Sequence, residues 1–246
     1  MSTGVADAVI EFWSETSCED FKTRFSLTWI ILHELNHIDL GHFKIFESFD
    51  LTQRSSFQRE PLFTNKFPLV PLCLEMQADH EATEALLGAY STEDWEKLRE
   101  RALVISGMMM LIELEDTNND TTGRTHPKAA TRIFQLLGHL SEMPLIRAQV
   151  HQNASLIPSE DELQAFAQEV TIPCFFDAIQ LAQVASATSI ESDLGSPADF
   201  FKDLEMVKLG DPTRYAELIT QGAREWAKLW PCNEALKPIL GGHFKT

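Results

Sequence analysis

Phe25-Ser26-Leu27-Thr28-Trp29-Ile30-Ile31-Leu32-His33-Glu34-Leu35-Asn36-His37-Ile38-Asp39-Leu40-Gly41-His42-Phe43 is the stretch on which the fold turns. Leu27, Ile30, Ile31, Leu35 and Ile38 recur every three or four residues, the period of an α-helix, and Gly41 marks its end. The pattern predicts a helix that buries these apolar residues on one face and carries His33 and His37 together on another. Residues four apart lie one turn apart on one side of a helix, so both imidazoles can reach a single ion while Glu34 points at its remaining coordination position. H-E-x-x-H in such a helix points to metal-assisted hydrolysis.

Outward from this stretch the helical period continues. Residues 73–90 repeat it, and Ser91 with Asp94 makes a capping box for a helix to about residue 115, so that the two should pack as a hairpin. Pro127 at a first helical position predicts a helix to about residue 140, with His126 at its N-cap. Beyond Met143, proline-punctuated helices are expected near 145–155, 161–170, 174–188, 198–209 and 212–229, with Ser159 and Asp211 as caps. Residues 44–70 hold no period and read as a long loop with short strands near 63–70, placed to cover a substrate. The expected fold is mainly α with little β-structure. A metal-binding catalytic region spans 1–143, and an acidic helical region over 144–246 packs on it, either as a second unit or as a continuation of the first.

With 246 residues, 44% of them hydrophobic and 23% charged, the chain has the composition of a globular protein. A formal charge of -17 argues against nucleic acid and against anionic lipid, both of which are held by clustered Lys and Arg. The four cysteines, at 18, 73, 174 and 232, form no C-x-x-C pair and no dense framework, which favours a reducing cytoplasm. No basic n-region or long apolar run opens the sequence, and its most apolar segment, 103–114, is too short for a bilayer. No membrane association is therefore expected.

A catalytic zinc takes three protein ligands, so two histidines call for a third donor. Glu75 is the first choice, with Asp79 at i+4 on the same helical face to accept a hydrogen bond from a ligand imidazole. His80, Glu81 and Glu84 on the same helix remain alternatives. His126 at the mouth of its helix is placed to meet a developing oxyanion, and Arg132 further along is expected to play a structural part, paired with an acidic partner.

H-E-x-x-H, then E-x-x-x-D from Glu75 to Asp79, then Thr125-His126-Pro127 leading to Arg132-Ile133, resembles the gluzincin metallopeptidases. The likeness is to the CAAX-prenyl and heat-shock protease family and to bacterial Lit-type and ImmA/IrrE-type peptidases. It covers about residues 27–133. The resemblance implies a zincin-like core, Zn2+ on His33, His37 and Glu75, Glu34 as general base, Asp79 behind a ligand and His126 near the reacting carbonyl, with a protein or peptide as substrate. Gluzincins place a small sheet before the metal helix, so here the substrate-aligning strand is expected to be missing or supplied elsewhere. Two other functions compete. One is a non-enzymatic interaction protein keeping a peptidase-like shell, with the acidic helices as its binding surface. The other is a di-iron helical oxidase, whose Glu-x-x-His pair occurs here once, at Glu34 and His37, where that architecture needs it twice.

Overall fold

The structure, a computed structural model, describes residues 3–15, 20–45, 67–118 and 126–240. Among them every regular element is helical and no strand occurs, so the fold is mainly α. The helices are α1 (Thr3–Glu15), α2 (Asp20–Asp39), α3 (Val70–Leu87), α4 (Trp95–Asn118), α5 (Ala129–Val150), α6 (Glu160–Phe166), α7 (Ile172–Val184), α8 (Thr188–Leu194), α9 (Pro197–Lys208) and α10 (Gln221–Leu240). A π-turn at Ala167–Thr171 joins α6 and α7 into one run. The strands and covering loop expected before residue 67 fall largely outside the described residues, as do Arg124 and Thr125. Phe67–Leu69 is a 3-10 turn, and α3 begins at Val70.

α2, which carries the motif, turns only part of its apolar period inward, with Leu27 and Ile30 half-buried against the core. Ser26, Trp29, His33 and Leu40 are buried, whereas Ile31, Leu35 and Ile38 are 47%, 49% and 61% exposed. The reason lies in α3, against which α2 packs. Trp29 donates through Nε1 to Thr83 Oγ1 at 3.3 Å, and the Arg132 guanidinium lies 5.7 Å from its ring. A polar site assembled inside the protein turns its polar residues inward, and Ile31, Leu35 and Ile38 are left on the outer face.

α3 is the central element, in contact with α2, α4, α5 and α10 and buried on almost every side between Cys73 and Asp79. One apolar cluster runs from Val9 and Trp13 of α1 through Met108, Met109 and Met110 of α4, Ile133 and Leu137 of α5, and Phe175 and Phe200, to Ala223 of α10. Each such side chain contributes about 1.5–3 kcal/mol by leaving water. A second cluster joins Cys73, Leu74 and Met76 of α3 to Leu229, Cys232 and Leu236 of α10. Cys73, Cys174 and Cys232 are buried.

The helix ends correct several expectations. α5 begins at Ala129 rather than at Pro127, because two carboxylates cap it from neighbouring helices. Glu113 of α4 accepts from the Ala129 N–H, and Glu225 Oε2 of α10 accepts from the Lys128 N–H at 2.9 Å and from Thr131 Oγ1 at 2.6 Å. Negative charge at a helix N-terminus meets its unpaired N–H groups. α5 also runs through Pro144, where a break was expected. Burial of Met143, Pro144 and Ala148 outweighs the ladder bond that the proline removes. Ser159 caps α6 as predicted, accepting from the Glu162 N–H at 3.2 Å. Asp211 caps only a short 3-10 turn, Pro212–Glu217, and α10 starts later, at Gln221. No helix among the described residues is long and apolar enough to cross a membrane.

α10 meets the start of α5 at Gly222, where a Cβ would stand 2.7 Å from the Ala130 carbonyl oxygen and 2.9 Å from its carbon. Backbone atoms cannot swing aside as a flexible side chain can. Gly222→Ala is expected to lower stability by about 1–3 kcal/mol, read as an earlier urea midpoint. An unchanged midpoint would mean that the two helices are not held this closely.

Candidate metal centre

Two adjacent helices supply most of the site. His33 and His37 project from one face of α2, and Glu75 faces them from α3. His33 Nε2 lies 3.1 Å from Glu75 Oε2, His37 Nε2 lies 3.4 Å from the same oxygen, and the two nitrogens are 3.2 Å apart. His126, three residues before α5, brings its Nε2 to 3.2 Å from that same Glu75 oxygen. Three imidazole nitrogens thus converge on one carboxylate oxygen.

Each imidazole is held from behind. His33 Nδ1 stands 3.0 Å from Asp79 Oδ1, at an angle wide of an ideal hydrogen bond. Arg132 grips Asp79 with two parallel bonds, Nε to Oδ2 at 2.6 Å and Nη2 to Oδ1 at 2.7 Å, and both side chains are buried. Such a planar fork fixes a carboxylate in orientation as well as in charge. His126 Nδ1 is 3.2 Å from Asp116 Oδ2 at the end of α4. His37 Nδ1 is 2.8 Å from His42 Nδ1.

His42 reaches His37 because Gly41, at φ 72°, turns the chain at the end of α2. That left-handed conformation favours glycine, and Gly41 N–H closes the turn on the Ile38 carbonyl at 3.0 Å. The reversal folds the next residue back under α2. His42 is wholly buried there, and its Nε2 is 3.2 Å from Gln77 Oε1. Gln77 in turn donates through Nε2 to Asn233 Oδ1 of α10.

The electrostatics call for positive charge at the centre. Burial disfavours the His33 imidazolium, yet the carboxylates of Asp79 and Glu75 outweigh it and hold its pKa up at about 9. Burial likewise works against the charge on Glu75, but hydrogen bonds from His126, His33 and His37 prevail and hold it far below the ordinary carboxylate range. For Asp79 burial is overcome by Arg132 and His33, leaving it at about 2. Burial first, then the neighbouring His37, push His42 down to about 4, so it is neutral. Facing Asp79, an acceptor, a neutral His33 carries its proton on Nδ1. Its Nε2 lone pair would then confront the Glu75 oxygen with nothing between them.

A divalent ion would fit that arrangement. Tetrahedral ligands at about 2.0–2.1 Å from zinc lie about 3.3–3.4 Å apart, and the separations among His33, His37 and Glu75 are 3.1, 3.2 and 3.4 Å. The donor atoms of His33, Glu75 and His126 also lie within 4.8 Å of one another.

Sequence reasoning had singled out His33, His37, Glu75, Asp79 and His126, and these are brought together. Glu34 is exposed on α2 beside them. Of the alternative ligands, His80, Glu81 and Glu84 form a separate group with donor atoms within 4.8 Å of one another. His42, Gln77, Asn233 and Asp116 were missed. The one available signal was the glycine before His42, which marks a reversal of the chain.

No curated protein and no solved structure matches the chain. Residues 24–148, slightly more than half of it, match the family described as Peptidase U49, and that span holds His33, Glu34, His37, Glu75, Asp79, His126 and Arg132. The chain belongs to the Peptidase U49 family and is a peptidase.

Proposed function

We propose that this peptidase is a zinc enzyme of gluzincin type with a zincin-like core, hydrolysing peptide bonds of a protein substrate with Glu34 as general base. The observation that carries the reading is the convergence of His33 Nε2, His37 Nε2 and Glu75 Oε2 at separations of 3.1–3.4 Å, those of a tetrahedral ligand set. When bound, zinc lowers the pKa of a water molecule toward neutrality and polarises a carbonyl. Glu34, exposed and one residue from the first ligand, takes the proton as water attacks the amide carbon and hands it to the leaving nitrogen. His126 is oriented by Asp116 with Nε2 facing the ligand set, where it stabilises the oxyanion. Asp79, clamped by Arg132, holds His33 with Nδ1 protonated and Nε2 free to bind. The scattered cysteines, without a C-x-x-C pair, support a cytoplasmic setting, and the charge of -17 supports a polypeptide rather than a nucleic acid as partner.

Elemental analysis of the purified chain tests the metal. One zinc per chain is expected in the wild type and none in His33→Ala, with chelation abolishing peptidase activity and added zinc restoring it. A wild-type protein that cleaves its substrate with no metal bound would overturn the reading.

A further inference from the structure

The hydrogen-bonded row His37–His42–Gln77–Asn233 links the proposed metal ligand on α2 to α10, beyond the span that matches the family. We propose that His42, aligned by Gln77 and by Asn233, is a positioning residue that accepts a hydrogen bond from the Nδ1–H of His37 and thereby turns the Nε2 lone pair of that imidazole to the metal. The inference rests on the reading that His37 is a zinc ligand.

Proton counting along the row carries the argument. Between the two Nδ1 atoms, 2.8 Å apart, one must donate and the other accept. If His37 offers Nε2 as a lone pair, its proton sits on Nδ1, so His42 Nδ1 is the acceptor. A neutral His42 then carries its proton on Nε2, which meets an acceptor, Gln77 Oε1, at 3.2 Å. The other end of that carboxamide, Nε2, donates, and it meets an acceptor, Asn233 Oδ1. Every link runs in the same direction. Reversing the proton between the imidazoles would place it on His37 Nε2, facing the Glu75 cluster, and would turn two acceptors on each other at Gln77. Burial makes the choice binding, because no water can repair a mismatched contact around a wholly buried ring. Packing fixes the participants: Cys73, Leu74 and Met76 of α3 interlock with Leu229, Cys232 and Leu236 of α10 immediately beside Gln77 and Asn233.

Two measurements on the full chain test this. The first is the tautomeric state of His42 in zinc-loaded, 15N-histidine-labelled protein, from long-range proton–nitrogen spectra. The expected result is a proton on Nε2 of His42 and on Nδ1 of His37. A His42 protonated on Nδ1, or on both nitrogens, overturns the proposal. The second is zinc affinity by competition with a chelator. His42→Leu leaves the His37 N–H without an acceptor and is expected to bind zinc about 10–100-fold more weakly. His42→Asn, which puts an acceptor oxygen near the position of Nδ1, should recover most of that loss, and so separates hydrogen bonding from packing. Asn233→Ala should weaken zinc about threefold and mix the His42 tautomers, whereas Asn233→Asp, an acceptor only, should do neither. Wild-type zinc affinity in His42→Leu, or equal losses in the leucine and asparagine variants, overturns the positioning role alone. A wild-type chain that takes up no zinc overturns the metal reading and this inference with it.

Discussion

Glu34→Gln is expected to hold one zinc per chain as the wild type does and to cleave protein substrate about two to four orders of magnitude more slowly, the span that general acid–base catalysis supplies. The amide keeps the size of the carboxylate but takes no proton at neutral pH. Because Glu34 is exposed on α2, the exchange leaves no buried group unpaired and should not shift the unfolding midpoint. Metal content, rate and stability therefore separate in this variant. In His33→Ala they are not expected to, since loss of a proposed ligand should remove the zinc as well. Turnover within tenfold of the wild type would show that another residue takes the proton.

Arg132→Met should cost about 3–5 kcal/mol of stability, the usual consequence of stranding one partner of a buried ion pair. The bonds at 2.6 and 2.7 Å are made where neither side chain meets solvent, so Asp79 would be left either charged without a counterion or forced to take up a proton. Urea unfolding of zinc-free protein measures the loss without a contribution from bound metal. Replacing both partners, Asp79→Leu with Arg132→Met, should cost less than Arg132→Met alone, because no charge is then stranded. A single-variant loss under about 1 kcal/mol would mean that the pair is solvated in the working protein.

The chemistry of the site was largely written in local patterns, and its packing was not. His33 and His37 share a face by helical spacing alone, and Glu75 and Asp79 share one by the same rule, so both pairs could be read from four-residue intervals. His42, Gln77 and Asn233 could not, since their contacts join positions 35 and 156 residues apart. Asp116 was hidden among the other acidic residues at the end of α4, where nothing distinguishes a carboxylate that meets His126 from one in water.

Apolar periodicity found α2 and placed Leu27 and Ile30 toward the core, but it misplaced the three residues that follow. Ile31, Leu35 and Ile38 read as core, and the face that carries the histidines reads as surface, because the rule supposes that whatever is buried is apolar. Around a buried cluster of polar side chains that premise fails. The start of α5 was misplaced for a related reason. Pro127 and the local sequence favoured a start two residues early, whereas carboxylates from α4 and α10 fix it at Ala129.

The reach of α10 has a consequence for what counts as the smallest working unit. Gly222 and Glu225 seat the beginning of α5, and Leu229, Cys232 and Leu236 close an apolar seam against α3. An excised fragment ending at residue 148 would keep the span that matches the family and would lose the far wall that steadies it. The catalytic vocabulary lies in the first half of this chain, but the rigidity that makes it usable is contributed from near the other terminus.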